Sequence, residues 1–499
     1  MSFISFQFVI FFILVTTLYF ILPHRVRWLL LLGASCIFYM VFIPKYILIL
    51  FSMITIDYLM AILMDKTKGN LRRLFLVASV IATVTVLFIF KYFNFFAVNL
   101  TSLAHFLNWN YSIETLHIIL PLGLSFHTFQ SLAYVIEVYR KKYSVEKNFG
   151  IYALYVMFYP QLVAGPIERP FHLLPQFYKR HNFDYDRVMS GLRLILFGFF
   201  QKVVIADRLA IIVNQIYNNP YNFEGYPLIL ATIAFSFQIF CDFAGYSNIA
   251  IGAARVMGFN LVKNFNDPYS SKTVAEFWSR WHISLYSWFR DYLYIPLGGN
   301  RVGPQILIFN LLIVFLVSGL WHGANWTFVA WGGLNGIYLV SYFLTRGVWG
   351  KLADLIGLTK LKTVYGLVQT LITFSLISFS WILFRAKDFN EAGYIITHLF
   401  TNLGSFTAVL KGLDLNQLLI YITQRKLFLG MAILDLVIVI LAIIFMQYVF
   451  AIQSRGYIQK KFAAQPIVVR WSLYYVTLIT IIYYISTAQS QFIYFQFSL

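Results

Sequence analysis

Of nine histidines, one sits where chemistry is the natural reading. His322 lies in VFLVSGLWHGANWTFVAWGG, deep in a long apolar stretch. Ionisable groups in such places are costly and usually face a cavity or a functional path. Gly319, Gly323, Gly332 and Gly333 flank it, letting helices or a substrate approach the backbone. A neutral imidazole there can accept a proton, which makes His322 a general-base candidate. A histidine hydrogen-bonded between helices is the other reading. His282, in EFWSRWHISLYSWFRDY, sits at the mouth of the same region, where an interfacial side chain is the plainer reading. The well-placed nucleophiles are hydroxyls. Tyr494 stands out, set among Phe492, Ile493, Phe495 and Phe497. On these residues alone, an aromatic belt anchoring the tail is simpler. His127, Gln130, Gln238, Asp242 and Asn248 are polar residues inside apolar runs, and Asp242 needs a partner or a proton to offset its desolvation. No phosphate-cradling loop, paired-histidine metal signature or Gly-x-Ser-x-Gly elbow occurs. Cys36 and Cys241 lie in apolar runs, so neither a disulfide framework nor a cysteine metal site is expected, and no metal is assigned.

The elements that must position these residues are membrane helices. The 499 residues are 60% hydrophobic, 19% aromatic and 11% charged, against roughly a quarter charged in a soluble domain. The net charge of +19 is not spread as a nucleic-acid surface would spread it. Basic residues cluster between apolar runs, at Arg25/Arg27, Lys66/Lys68/Arg72/Arg73, Arg140/Lys141/Lys142 and Lys460/Lys461, as the positive-inside rule requires. Anionic lipid headgroups are their natural partners. Spans are expected at 4–22, 28–43, 46–64, 73–99, 117–138, 188–206, 228–256, 305–322, 325–345, 364–384, 428–450 and 470–489. Alternation then places 65–73, 139–148, 257–304, 346–363 and 451–470 in the cytoplasm. It places 100–116, 207–227, 385–427 and both termini outside. Residues 149–166, short and broken by Pro160, Gly165 and Pro166, read as a re-entrant segment. Residues 266–301 mix Trp278, Trp281 and Trp288 with Arg280 and Arg290, which suits a helix lying at the cytoplasmic interface. There is no internal repeat, which counts against common transporter architectures.

Together, PLGLSFHTFQSLAYVIEVYR, AGPIERP, EFWSRWHISLYSWFRDYLYIPLGGNR and GLWHGANWTFVAWGGLNG resemble the bacterial membrane-bound O-acyltransferase family. The similarity is strongest to members that O-acetylate alginate, peptidoglycan and cellulose. It implies an all-α integral membrane fold of 11–12 transmembrane helices, with re-entrant and interfacial helices, around a funnel or tunnel. That domain would cover 1–489, with an extracytoplasmic aromatic tail over 490–499, in a bacterial cell membrane. It also implies that His322 is catalytic, that His282 supports it, and that Tyr494 in FIYFQF carries the acyl group outward. The donor would be acetyl-CoA or an acylated carrier protein, with no bound cofactor. Arg280 and Arg290, with Lys272 and Arg301 nearby, would meet donor phosphates, a solvated interfacial face being the alternative. The partner would be a separate extracytoplasmic serine hydrolase-like (SGNH) acetyltransferase, and a polysaccharide the final acceptor. Two alternatives stay open: D-alanyl transfer to teichoic acids, and a transporter or flippase in which His322 and Asp242 relay protons.

Overall fold

Long apolar runs in lipid satisfy their backbone only as helices or closed barrels. The computed structural model is helical, with no strand among its described residues. Those residues are 1–163, 165–403, 430–454, 456, 464–485 and 492–493. The first helices are α1 (Phe6–Ile21), α2 (His24–Met40), α3 (Tyr46–Lys66) and α4 (Gly69–Leu87), which runs through a π-turn at Phe88–Tyr92 into α5 (Phe93–Phe106). Next come α6 (Leu124–Tyr139), α7 (Phe149–Met157), α8 (Pro170–Tyr178) and α9 (Tyr185–Phe199). A second π-turn, Phe200–Ala206, joins α9 to α10 (Asp207–Tyr217). The remainder comprises α11 (Tyr226–Met257), α12 (Val274–Arg280), α13 (Ile283–Phe289), α14 (Pro304–His322), α15 (Trp326–Leu355), α16 (Lys362–Arg385), α17 (Phe389–His398), α18 (Ile433–Ser454) and α19 (Ile467–Ile485).

Eight helices among the described residues are long and apolar enough to cross a membrane: α3, α4–α5 as one rod, α11, α14, α15, α16, α18 and α19. The protein is therefore a multi-pass membrane protein. The other four expected spans fall on α1, α2, α6 and α9, of 16, 17, 16 and 15 residues. Their lengths have local causes. α6 starts only after Gly123, whose φ of +70° and close approach to the Leu162 carbonyl admit no side chain. It is buried over almost its whole length, so protein rather than lipid covers it. α9 is prolonged by its π-turn.

Contacts near the helix ends fall into two sets, one at each end of the bundle; the expected outer segment 207–227, however, starts inside it, with Asp207 buried against Lys202. At one end Arg27 donates to the His181 carbonyl (2.6 Å), Arg72 to Val138 (2.7 Å) and Arg140 to Asp291 (3.4 Å). At the other, Asn325 donates to Lys387 (2.8 Å), Trp326 to Asn99 (2.7 Å) and Asn402 to Glu224 (2.5 Å). Residues 149–166 enter and return at the basic end: α7 is only nine residues long, and the Tyr178 hydroxyl after it donates to Glu146 before it (2.7 Å). Ala164 lies outside the described residues.

Residues 266–301 differ from expectation. They form no surface helix but two short ones, α12 and α13, with Trp278, Trp281 and Trp288 all buried. Aromatic and charged residues mix at a water-filled cleft as they do at a lipid headgroup layer, so composition does not separate the two.

α14 and α15 form a hairpin in backbone contact. A Cβ on Gly319 would lie 2.3 Å from the Phe328 carbonyl oxygen, and one on Gly332 would lie 2.2 Å from that of Phe315. Here the small residues serve helix packing rather than substrate approach. Gly319→Val is expected to destabilise the protein by at least ~1–3 kcal/mol, because the opposing atom is backbone and cannot rotate away. Thermal unfolding in detergent would show it; an unchanged midpoint would mean the hairpin spreads freely.

Candidate active site

His322 is the last residue of α14, where the expected span 305–322 also ends. Gly323 leaves the helix in extended geometry (φ −159°), and the Asn325 side chain caps α15 by accepting from Thr327 N (3.1 Å). A Cβ on Gly323 would lie 2.2 Å from the Phe328 ring, which keeps this corner tight. The carbonyls ending α14 are held from the π-turn between α4 and α5. Lys91 Nζ donates to the Trp321 carbonyl and, at 3.4 Å, to that of His322, while the Tyr92 hydroxyl donates to Leu320 (3.1 Å). A donor at a helix C-terminus satisfies carbonyls that the helix leaves without partners. Among the described residues no carboxylate pairs with Lys91; its amine also meets Ser125 Oγ at 3.3 Å and lies 5.5 Å from the Trp321 ring centroid. Trp321, Trp331 and Phe384 wall the His322 imidazole, with ring centroids 4.9, 5.0 and 5.4 Å away.

His282 is not at the mouth. It is 2% exposed, lies between α12 and α13, and has left-handed backbone geometry at φ +43°. Its ring packs 4.7 Å from Phe243 and 6.2 Å from Trp321, centroid to centroid. Neither ring nitrogen has a hydrogen-bond partner among the described residues. A non-glycine residue held with positive φ stores strain of about 1–3 kcal/mol, and such residues cluster at functional sites.

Both imidazoles line one cavity of about 250 Å³, which also takes in Trp278 and Ser318. It runs to Arg290 and Asn300, exposed residues at the basic end of the bundle. Asn325, three residues beyond His322, bonds the opposite end. The cavity thus leads from the basic face to a histidine near the far side of the bundle. Of the four basic residues read as donor contacts, only Arg290 lines it. Arg280 is turned to Glu276 (2.5 Å) and Ser270 (2.8 Å), and Lys272 and Arg301 lie outside the lining. Arg280 sits one helical turn after Glu276 and pairs with it there, while Arg290 pairs with its neighbour Asp291 (2.8 Å) and still lines the cavity. Tyr494 lies outside the described residues, but the neighbouring Phe492 and Ile493 are buried within the bundle.

Over residues 146–386 the chain matches the model of MBOAT, the membrane-bound O-acyltransferase family. It is 36% identical to the peptidoglycan O-acetyltransferase of Helicobacter pylori, over 73% of this chain and 72% of that one. The chain belongs to the membrane-bound O-acyltransferase family. It is also 35% identical to the "Probable alginate O-acetylase AlgI" of Pseudomonas aeruginosa, over 77% of this chain and 72% of the relative. A teichoic acid D-alanyltransferase of Bacillus subtilis is more distant, at 26% over 54% of this chain and 70% of that protein.

Within this acyltransferase, two lysines not singled out by the sequence pattern hold working positions. Lys91 holds the end of the His322 helix. Lys202 supplies the partner that Asp242 requires, at 2.5 Å. Each sat inside an expected span, and the rule that singled out His322 applies equally to a lysine there.

The geometry of His282 separates its chemistry from its strain. His282→Ala and His282→Gly both remove the imidazole, but only glycine adopts positive φ without cost. Transfer is expected to fall equally in the two variants, with the glycine variant the more stable by about 1 kcal/mol. Activity that tracks the stability difference instead would make His282 a structural residue.

Proposed function

We propose that this acyltransferase takes an acetyl group from a cytoplasmic thioester and passes it across the membrane for O-acetylation of an extracytoplasmic polysaccharide. The observation that carries the reading is the single cavity joining exposed Arg290 to both His282 and His322. A donor with a phosphate-bearing head and a narrow pantetheine arm suits such a shape, the guanidinium meeting the phosphates and the arm reaching inward.

In this reading Tyr494 is the acceptor. A phenol with a pKa near 10 is a weak nucleophile until a base takes its proton. His322 takes it as the phenol oxygen attacks the thioester carbonyl. The C–S bond breaks, an aryl ester forms, and the imidazolium returns its proton to the thiolate as the thiol leaves. A sugar hydroxyl, presented by an extracytoplasmic hydrolase-like partner, then takes the acetyl group and frees the phenol. The relatives named as acetyl-transferring support acetyl over D-alanyl. Family membership favours acyl transfer over the proton-relay reading, and Asp242 is paired with Lys202 rather than with His322.

Mass spectrometry of the C-terminal peptide after incubation with labelled acetyl-CoA tests the reading. One acetyl label on Tyr494 is expected in wild type and none in His322→Ala. A polymer that becomes acetylated while the tail stays unlabelled would sink it. The donor contact has its own test. Arg290→Glu is expected to raise the donor KM by about ten-fold, the worth of a hydrogen bond to a charged group, while Arg280→Glu leaves KM unchanged. The reverse order would move the donor out of this cavity.

A further inference from the structure

One buried charge cluster has no part in the chemistry above. Lys202 Nζ lies 2.7 Å from Asp207 and 2.5 Å from Asp242 Oδ1, and all three side chains are shut away from solvent. The other oxygen of Asp242, Oδ2, accepts the backbone N–H of Ile493 at 2.7 Å. Phe492 packs beside it on Tyr246 and Phe243, with centroids 4.4 and 5.8 Å away. Phe243 is also the ring 4.7 Å from His282. Asp242 lies near the middle of the 32-residue α11. At Tyr484, just before α19 ends, the chain is at the outer end, where the phenol donates to Asp435 at the start of α18 (2.7 Å). By Phe492 it is back at the middle of the bundle.

We propose that Asp242 is the latch that seats the C-terminal tail. One of its oxygens is fixed by Lys202, and the other is offered to the tail backbone. The latch makes Asp242 a positioning residue for whatever the tail carries, and only its consequence for acetyl transfer rests on the reading of Tyr494 as carrier. The charge pattern explains why aspartate is needed. Two donors, an ammonium and an amide N–H, converge on opposite oxygens, and an asparagine has only one acceptor oxygen to share between them.

The test compares two substitutions that each remove one carboxylate from Lys202. Asp242→Asn leaves Lys202 paired with Asp207 but spoils the seat, whereas Asp207→Asn leaves the seat intact. Chymotrypsin cleavage of the Phe492–Ile493 bond in the full-length protein in detergent, followed by mass spectrometry, reads the seating directly. Asp242→Asn is expected to speed this cleavage about ten-fold or more, as loss of a hydrogen bond to a charged acceptor implies. Asp207→Asn is expected to leave it at the wild-type rate. Equal acceleration in both variants, or in neither, overturns the latch. A second measurement needs no variant: the Ile493 amide in the wild-type protein should exchange its hydrogen at least a hundred-fold more slowly than in a free peptide of residues 486–499. Exchange at the free-peptide rate overturns the latch whether or not the variants fold. Polymer acetylation is expected to fall with tail release. Release with acetylation unchanged supports the latch and sinks only the carrier role of Tyr494.

Discussion

His322→Ala is expected to lose at least about a hundred-fold of acetyl transfer, the lower bound for removing a general base, while the protein still inserts and purifies as wild type. The separation follows from how the residue is held. The corner carrying His322 is fixed through backbone groups: Lys91 and Tyr92 grip the carbonyls of residues 320–322, and Gly319 and Gly332 bring α14 against α15. None of these contacts needs the imidazole. The lost ring leaves space between Trp321, Trp331 and Phe384, so a small drop in thermal stability is expected beside a large drop in turnover. The assay is labelled acetyl-CoA consumption in purified membranes, normalised to folded protein. A variant keeping more than about a hundredth of wild-type activity would remove His322 from the role of essential base. In the proposed reading His282 supports the donor and His322 moves the proton, so His282→Ala is expected to cost less. A larger loss at His282 would exchange the two roles.

Tyr494→Phe is expected to abolish polymer acetylation outright. The change deletes one oxygen and keeps an aromatic ring, so the tail retains its apolar surface and Ile493 its bond to Asp242. The phenol is unactivated in water, and its reactivity must come from being held against the base and the donor, an arrangement worth ~7–11 kcal/mol of barrier. Burial of Phe492 and Ile493 beside Phe243, itself a wall of His282, supports a tail that reaches inward rather than an anchor at the surface. The measurement is acetyl content of the polymer in cells carrying the variant, alongside its membrane level. Normal acetylation would mean that His322 activates another acceptor.

What was readable in the sequence followed from lipid. Long apolar runs admit few alternatives, so the spanning helices and the re-entrant 149–166 are where their hydropathy and proline breaks put them. The cost of a charge in hydrocarbon picked out His322 and Asp242 for the same reason. Features set by tertiary contacts were hidden. α6 is short because protein surrounds it, and no local pattern reports who the neighbours are. The left-handed backbone at His282 depends on Asn264 meeting the start of α13, where its carbonyl accepts from Ile283 N (2.8 Å). The pairing of Arg280 was legible, since Glu276 and Arg280 stand four apart on a helix; which arginine lines the cavity was not, because Arg290 is paired too, with Asp291.

The π-turn at Phe200–Ala206 bears on how the protein enters the bilayer. Lys202 and Asp207 are five residues apart, a spacing that points side chains to different faces of a regular α-helix. The wider turn brings them together, and they meet at 2.7 Å. A lone lysine or aspartate at the centre of an inserting helix costs about 2.5–3.5 kcal/mol each. Joined within one segment, the two charges are expected to enter the bilayer as a nearly neutral pair, ahead of α11 in chain order. On that expectation α9 and α10 need no waiting partner, and Asp242 meets an ammonium that Asp207 already holds.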